Sequence, residues 1–179
     1  EVLENSVAAS YKRDLATNSY EYLSPVFSRI SGYTPEEMKS LPTETVLGLI
    51  HPDDLNQVKR TIAEAVSDHA QSAYHLEYRF RCKDGQYRWL LDQFSMLKDT
   101  GGNTAAFVGS VHDITQRKVT DEALRESMAQ YRLLFELGSD ALFLIDTETG
   151  MILDSNRVAS ELYGYTRDEV LKCSLEELS

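Results

Sequence analysis

Cysteine is scarce in this chain: Cys82 and Cys173 are the only two, and they lie far apart in differently patterned segments. That scarcity argues against a disulfide framework or a thiolate metal site and suggests a reducing, cytoplasmic setting. Basic side chains are also few, 18 Lys and Arg against 29 Asp and Glu, which leaves a net charge of −11. A nucleic-acid surface needs clustered positive charge, so no nucleic-acid partner is expected. No apolar run approaches the thickness of a bilayer; the Val46–Ile50 cluster spans five residues, and no membrane contact is predicted from this stretch. No signal peptide precedes the first segment and the chain does not start with Met, so it reads as part of a longer polypeptide that can be membrane-anchored elsewhere. Glycine-rich phosphate loops, a kinase ATP signature and nucleophile–base pairs are missing too, so no enzyme is expected within these residues.

What is present is ordinary globular material, 42 % hydrophobic and 26 % charged, long enough for one and a half average domains. Glu1–Ala9 reads as the end of an incoming helix or linker. Tyr11–Leu15 and Tyr20–Leu23 flank the turn pair Asn18-Ser19 and predict a short hairpin. Ser24-Pro25, Thr34-Pro35 and His51-Pro52 each carry a helix-start signature, with acids following the last two where the helix dipole favours them. They predict two short helices before Leu41-Pro42 and, from His51-Pro52, one longer helix with a stripe at Leu55, Val58, Ile62, Ala65 and Val66; a third short helix, Glu44–Ile50, follows Leu41-Pro42. Then the period changes to two. Tyr74, Leu76, Tyr78, Phe80 and Cys82 share one strand face; turns at Lys83–Gln86 and Asp99–Asn103 separate two more strands, Tyr87–Leu97 and Thr104–His112. The order predicts an α+β domain with an antiparallel sheet covered on one face by helices.

Asp113–Leu137 is the longest stretch of helical character. Asp113 and Gln116 form a variant capping box, and Gly138 follows at the other end. Leu124, Met128, Tyr131 and Phe135 are spaced 4, 3 and 4, a short heptad seam that predicts pairing with a second copy in a homodimer. Beyond it the first pattern restarts: Gly32 and Tyr33 recur as Gly164 and Tyr165, an offset of 132 residues (164 − 32), with Val26, Ile30, Thr34 and Glu37 in phase. The predicted division is therefore a lead at 1–9, a domain at 10–113, a connector at 114–137 and, at 138–179, the front part of a second domain. That part lacks an equivalent of the later strands, so it is expected to be partly disordered or to borrow a partner chain.

Two stretches, SPVFSRISGYTPEE with HPDD, and EYRFRCKDGQYRWL leading to VHDITQRK, resemble the PAS domain family. They are similar to the subtype marked by the HPDD helix start and the DG and RW strand pair. ALFLIDTETGMILDSNRVASELYGYTRDEVL resembles the front of another PAS domain. The resemblance implies a five-stranded antiparallel sheet in the order 2-1-5-4-3. It also implies that Asp113-Ile114-Thr115 forms a hinge from the last strand into an output helix, with Asp113 paired to a basic residue of the sheet, Arg88 or Arg81. Such arrays belong to sensor histidine kinases and cyclic-dinucleotide enzymes, so a signal-transducing sensory module is implied. A haem or flavin sensor and a ligand-free dimerisation scaffold are the alternatives.

A cavity, where one exists, would be lined by Tyr78, Phe80, Trp89 or Leu90, and Val108, facing Phe27, Ile30 and Ile62; a plain core needs the same positions. The plain core is the favoured reading, with a small-molecule ligand as the alternative. Haem and flavin are not expected: no reactive-cysteine motif occurs, and the helical histidine that haem-binding relatives use would correspond to His69, out of register with the apolar stripe. His75 falls on a polar strand face, His51 serves a helix start, and His112 precedes the hinge. His51, Asp53 and Asp54 are too close in sequence to converge on a metal ion, so no metal site is expected.

Overall fold

The computed structural model describes residues 8–67, 73–98, 101 and 104–173. The chain forms two compact units, Glu1–Val119 and Thr120–Ser179. The first runs β1 (Ala8–Asp14), β2 (Ser19–Leu23), α1 (Val26–Ser31), α2 (Pro35–Ser40), α3 (Thr43–Leu47), α4 (Pro52–Ser67), β3 (Tyr74–Arg81), β4 (Tyr87–Lys98) and β5 (Thr104–Asp113), then enters α5 (Thr115–Leu137). The second contains β6 (Phe143–Ile145), β7 (Ile152–Ser155), α6 (Arg157–Tyr163) and α7 (Arg167–Val170). Among the described residues no helix is long and apolar enough to cross a membrane.

The first hairpin turns at Asn18, whose φ of 52° is a left-handed value that asparagine tolerates. Its strand begins earlier than the sequence suggests: Ala8 and Ala9 pair with His112 and Val111, so they belong to β1 and not to an incoming helix. Residues 1–7, His69 and most of the Asp99–Asn103 turn lie outside the described residues. At α1 the expected serine cap is replaced. Pro25 occupies the cap position, and the Ser24 hydroxyl accepts from the Ser10 backbone N–H at 3.2 Å, joining the hairpin to the helix. Thr34 and Glu37 form a complete capping box on α2.

The five strands form one antiparallel sheet in the order β2-β1-β5-β4-β3, the order that the family resemblance implies. Phe27, Ile30, Met38, Val46, Ile50 and Val58 of the helical layer bury against Leu76, Phe80, Leu90, Phe94, Phe107 and Val111 of the sheet. This apolar layer supplies the stability that fixes the sheet, and with it the exit into α5, in place.

In the second unit the internal repeat extends to backbone detail. Gly164 has φ 76° where Gly32 has 78°, each ending a helix, and Thr166 with Glu169 repeats the Thr34–Glu37 capping box. Asn156 is fully buried: its carbonyl oxygen accepts from the Leu142 and Ala159 N–H groups at 3.0 and 2.9 Å, and its amide donates to the Asp140 carbonyl at 2.9 Å. One amide side chain thereby joins the entry of β6 to the start of α6.

Candidate functional site

Two features of the first unit stand out: a cavity between sheet and helices, and the exit from β5 into α5. Where a plain core is expected, the structure holds a cavity of about 290 Å³. Phe27 of α1, Val46 of α3 and Ile62 of α4 form one wall; Leu76, Tyr78, Phe80, Phe94 and Phe107 of the sheet form the other. Asn18 and Lys59 also line it and are exposed, so the space reaches the surface beside them.

Of the residues expected at a cavity, Phe27, Ile62, Tyr78 and Phe80 line it. Ile30 and Leu90 are buried in the core but do not line it. Trp89 and Val108 are corrections. Strand side chains alternate, and the buried phases of β4 and β5 run through Leu90 and Phe94, and through Phe107 and Val111. Trp89 and Val108 therefore point to the opposite face, and Val108 is 37 % exposed.

The same alternation brings an unexpected residue inside. Asp92 sits between Leu90 and Phe94 in the inward phase of β4 and lines the cavity. Tyr11 Oη donates to its Oδ1 at 3.0 Å, and the Tyr78 hydroxyl is a second partner. Burial pushes the Asp92 carboxyl up to about 7, against the opposing pull of the two tyrosine hydrogen bonds. Tyr11, Tyr20 and Tyr78 are likewise raised, by burial first and by the neighbouring carboxylate as well, so all three stay protonated donors. The sequence pattern of β4 does not single out Asp92, because large apolar residues fall on both faces of the strand; counting by twos from the buried Phe94 places it inward.

Gly109 makes room for this cluster. A Cβ there would stand 2.5 Å from the Gln93 carbonyl oxygen, 2.8 Å from Phe94 Cβ and 3.0 Å from the Tyr11 ring. Without it, Tyr11 crosses β5 to reach Asp92 on β4. Arg13, another lining residue, is held by Asn18 Oδ1 and Thr43 Oγ1, which accept from its Nη2 at 2.8 and 2.9 Å, while its guanidinium lies 5.3 Å from the Tyr20 ring centre.

At the exit, Asp113 ends β5, and its Oδ1 accepts from the Thr115 N–H at 2.9 Å. The helix starts at Thr115, so the carboxylate sits one residue outside the cap position expected for it. Arg88 reaches Asp113 Oδ2 at 3.5 Å, which separates it from Arg81, exposed and elsewhere. Trp89 ties the junction to the sheet through its main chain: its N–H donates to Thr115 Oγ1 and its carbonyl accepts from Ile114 N–H, both at 2.9 Å. Ile114 is buried. The first turn of α5 is then latched to the outer face of the sheet. Lys118 and Arg117 contact Glu77 at 2.6 and 2.5 Å, and Lys118 Nζ lies 4.8 Å from the Trp89 ring centre. The Lys118 hydrogen bond is the main cause holding the Glu77 carboxyl below its ordinary range.

The same tryptophan faces Arg79, whose guanidinium carbon is 5.3 Å from the ring centre. Arg79 in turn donates to both oxygens of Asp54 on α4, at 2.9 and 2.7 Å, and that pairing lowers the Asp54 carboxyl. Since α4 also contributes Ile62 to the cavity wall, a chain of contacts runs from cavity helix through Asp54, Arg79 and Trp89 to Lys118. His51 Nδ1 accepts from the Asp53 N–H at 3.3 Å, serving the start of α4. His75 is exposed, and His112 pairs across the sheet with Leu91 and Ala8. Cys82 is buried with Sγ 3.6 Å from the Ile30 carbonyl, and burial raises its thiol.

Of the expected seam in α5, Leu124, Met128 and Tyr131 are 60, 57 and 48 % exposed. Phe135 is a correction: it is buried, its ring stacked on Tyr131 at 5.5 Å.

Comparison with known proteins places this geometry. The family model described as "PAS fold" matches residues 20–111, and one described as "PAS domain" matches 129–179. Among curated proteins, the chain is 30 % identical over 110 residues to the methyl sulfide methyltransferase-associated sensor of Methanosarcina acetivorans, covering 62 % of this chain and 10 % of that protein. It is 28 % identical over 107 residues to the probable diguanylate cyclase DgcE of Escherichia coli (60 % and 9 %), and 27 % over 125 residues to the sensor histidine kinase TmoS of Ectopseudomonas mendocina (70 % and 12 %). The chain thus spans about a tenth of the length of these relatives. Among solved structures, a sensory box histidine kinase/response regulator from Burkholderia thailandensis superposes with a TM-score of 0.61 at 32 % identity, covering 74 % of this chain and 96 % of that one. The light-state structure of the blue-light photoreceptor Aureochrome1 LOV, at 17 % identity and a TM-score of 0.50 over 66 % of this chain and 91 % of that one, shares the fold alone. The chain belongs to the PAS family.

Proposed function

We propose that this chain is the sensory PAS region of a sensor histidine kinase, which turns a change at its cavity or surface into a change at the start of α5. In this reading 10–113 is the sensing domain, 114–137 the connector and 138–179 the beginning of a second PAS domain. The names of the TmoS and Burkholderia relatives support a kinase parent; the DgcE relative supports a diguanylate cyclase or phosphodiesterase as the alternative. Either way these residues transmit and do not catalyse.

The observation that carries the reading is the junction. One sheet residue, Trp89, holds both Ile114 and Thr115, and the Glu77 latch holds the next turn. A shift of α4 reaches that latch through Asp54 and Arg79, so a population shift between latched and released forms conveys the signal. The exposed stripe Leu124, Met128 and Tyr131 supports pairing with α5 of a second copy, which would carry the change onward from the cytoplasmic side. Neither haem nor flavin is part of this reading: among the described residues the cavity lining offers no histidine for iron and no cysteine for a flavin adduct, while His69 lies outside the described residues. Absorption bands beyond the protein region in the purified chain would refute that part.

The test is hydrogen exchange on Asp113→Ala and Glu77→Gln. Each variant loses about 1 kcal/mol of local stabilisation, so exchange in the first turn of α5 should quicken by about fivefold while the sheet stays protected. Unchanged exchange in both variants would sink the hinge reading.

A further inference from the structure

We propose that the cavity takes a small hydrophobic amine, its ammonium paired with the Asp92 carboxylate and its hydrocarbon resting against Phe27, Ile62, Phe80 and Phe94. This deepens the sensory reading by naming the ligand class of that cavity, and it rests on that reading only for its consequence, not for its chemistry.

The carboxylate occupies a strand position whose neighbours in phase, Leu90 and Phe94, are buried and apolar. A carboxylate placed there is destabilising unless something offsets its loss of hydration. The fold supplies hydrogen-bond donors but no counter-charge. Among the described residues no lysine or arginine ion-pairs with Asp92, and the hydroxyls of Tyr11 and Tyr78 are its hydrogen-bond partners. The two other charged residues of the lining are accounted for. Arg13 is held by Asn18, Thr43 and the Tyr20 ring, and Lys59 is solvent-exposed.

Room remains beside the acid. A carboxylate offers about four acceptor directions, and two hydroxyl donors leave the others open, a match for an ammonium's three N–H groups. The cavity's volume of about 290 Å³ corresponds to roughly ten waters at ~30 Å³ each, enough for a compact aromatic or branched aliphatic amine. Charge-assisted hydrogen bonds in a low-dielectric site are stronger than neutral ones. The edge-to-face Phe27–Phe80 pair, 5.9 Å between centres, offers the hydrocarbon an aromatic wall. Where Asp92 is ionised, an anionic ligand would meet it with like charge, and a neutral one would leave it without a counter-charge.

The experiment is calorimetric titration of the full chain with 2-phenylethylamine, 2-phenylethanol and 3-phenylpropionate, at mildly alkaline pH where Asp92 is ionised and the amine protonated. The amine should bind about tenfold more tightly than the alcohol, and the propionate weakest. Asp92→Asn, checked for folding by circular dichroism, should remove the preference for the amine over the alcohol. An amine no tighter than the alcohol, a tighter propionate, no binding by any probe, or an undiminished preference in Asp92→Asn each overturns the assignment. Should the variant not fold, the three-probe comparison on the unaltered chain decides alone. The sensory reading fails on a different result, unchanged exchange at α5 in the hinge variants, so the two are separable.

Discussion

Asp92 makes a quantitative prediction about stability and pH. Its carboxyl has an ordinary value of 3.8 and is pushed up to about 7 in the folded chain. The folded state therefore holds its proton more tightly than the unfolded one. The resulting stabilisation is fully present below about pH 4, falls as pH rises through the interval between the two values, and is gone above about 7. At about 1.4 kcal/mol per unit, the ceiling on that loss is about 4 kcal/mol, reduced by whatever water enters the cavity. Asp92→Asn removes the titration while keeping a carbonyl oxygen that can accept from Tyr11. Its uncharged amide brings a penalty of its own, but one that does not vary with pH. The informative quantity is thus the slope of the difference between the two proteins, since every other titrating group is common to both. Urea unfolding followed by fluorescence is the assay, because the chain's one tryptophan, Trp89, lies in the first unit and reports on that unit. The variant should gain on the parent protein steadily from pH 4 to pH 7, ending up to about 4 kcal/mol better placed than at the start. Parallel stability curves over that range would show that the carboxylate is not desolvated and would remove the physical basis for reading the site as electrostatically unbalanced.

Gly109→Ala should lower unfolding stability by about 1–3 kcal/mol, because the added methyl group meets the Gln93 carbonyl oxygen at 2.5 Å and can be housed only by shifting that backbone together with Phe94 and Tyr11; a midpoint unchanged in thermal unfolding would refute the crowding. Pairing through the exposed stripe of α5 predicts that light scattering should give the mass of two chains for the parent protein and of one for Met128→Glu, which places a charge in that stripe; equal masses for both would reject pairing through this face.

The fold was largely legible in the sequence because its signals are local. Thr34-Pro35-Glu36-Glu37 carries its own cap, Gly32 and Gly164 mark helix ends by conformational freedom, and the change of period at Tyr74 announces the sheet. The site was legible only in part, since it depends on the phase of long strands. β4 carries large apolar side chains on both faces: Leu90 points inward, while Trp89 points outward to Arg79 and Lys118. Hydrophobicity alone could not choose between them, and a choice one residue out carries Trp89 and Val108 to the wrong side. Asp92 is the converse case, a polar residue in an inward phase. Phe135 shows the limit of a heptad: spacing identifies a stripe, but burial depends on which side chains fold against it.

The way Trp89 holds Ile114 and Thr115 bears on where this protein can be cut. By sequence pattern the first domain stops at Asp113, yet the main-chain partners of Trp89, the buried Ile114 side chain and the cations on Glu77 all come after that point. Energetically, the opening turn of α5 is the last piece of the first domain. A chimera joined at Asp113 would therefore leave two sheet polar groups and an apolar hollow to be satisfied by foreign residues. One joined after Val119 would carry its own closure, and the sensor would keep its fold in whatever protein received it.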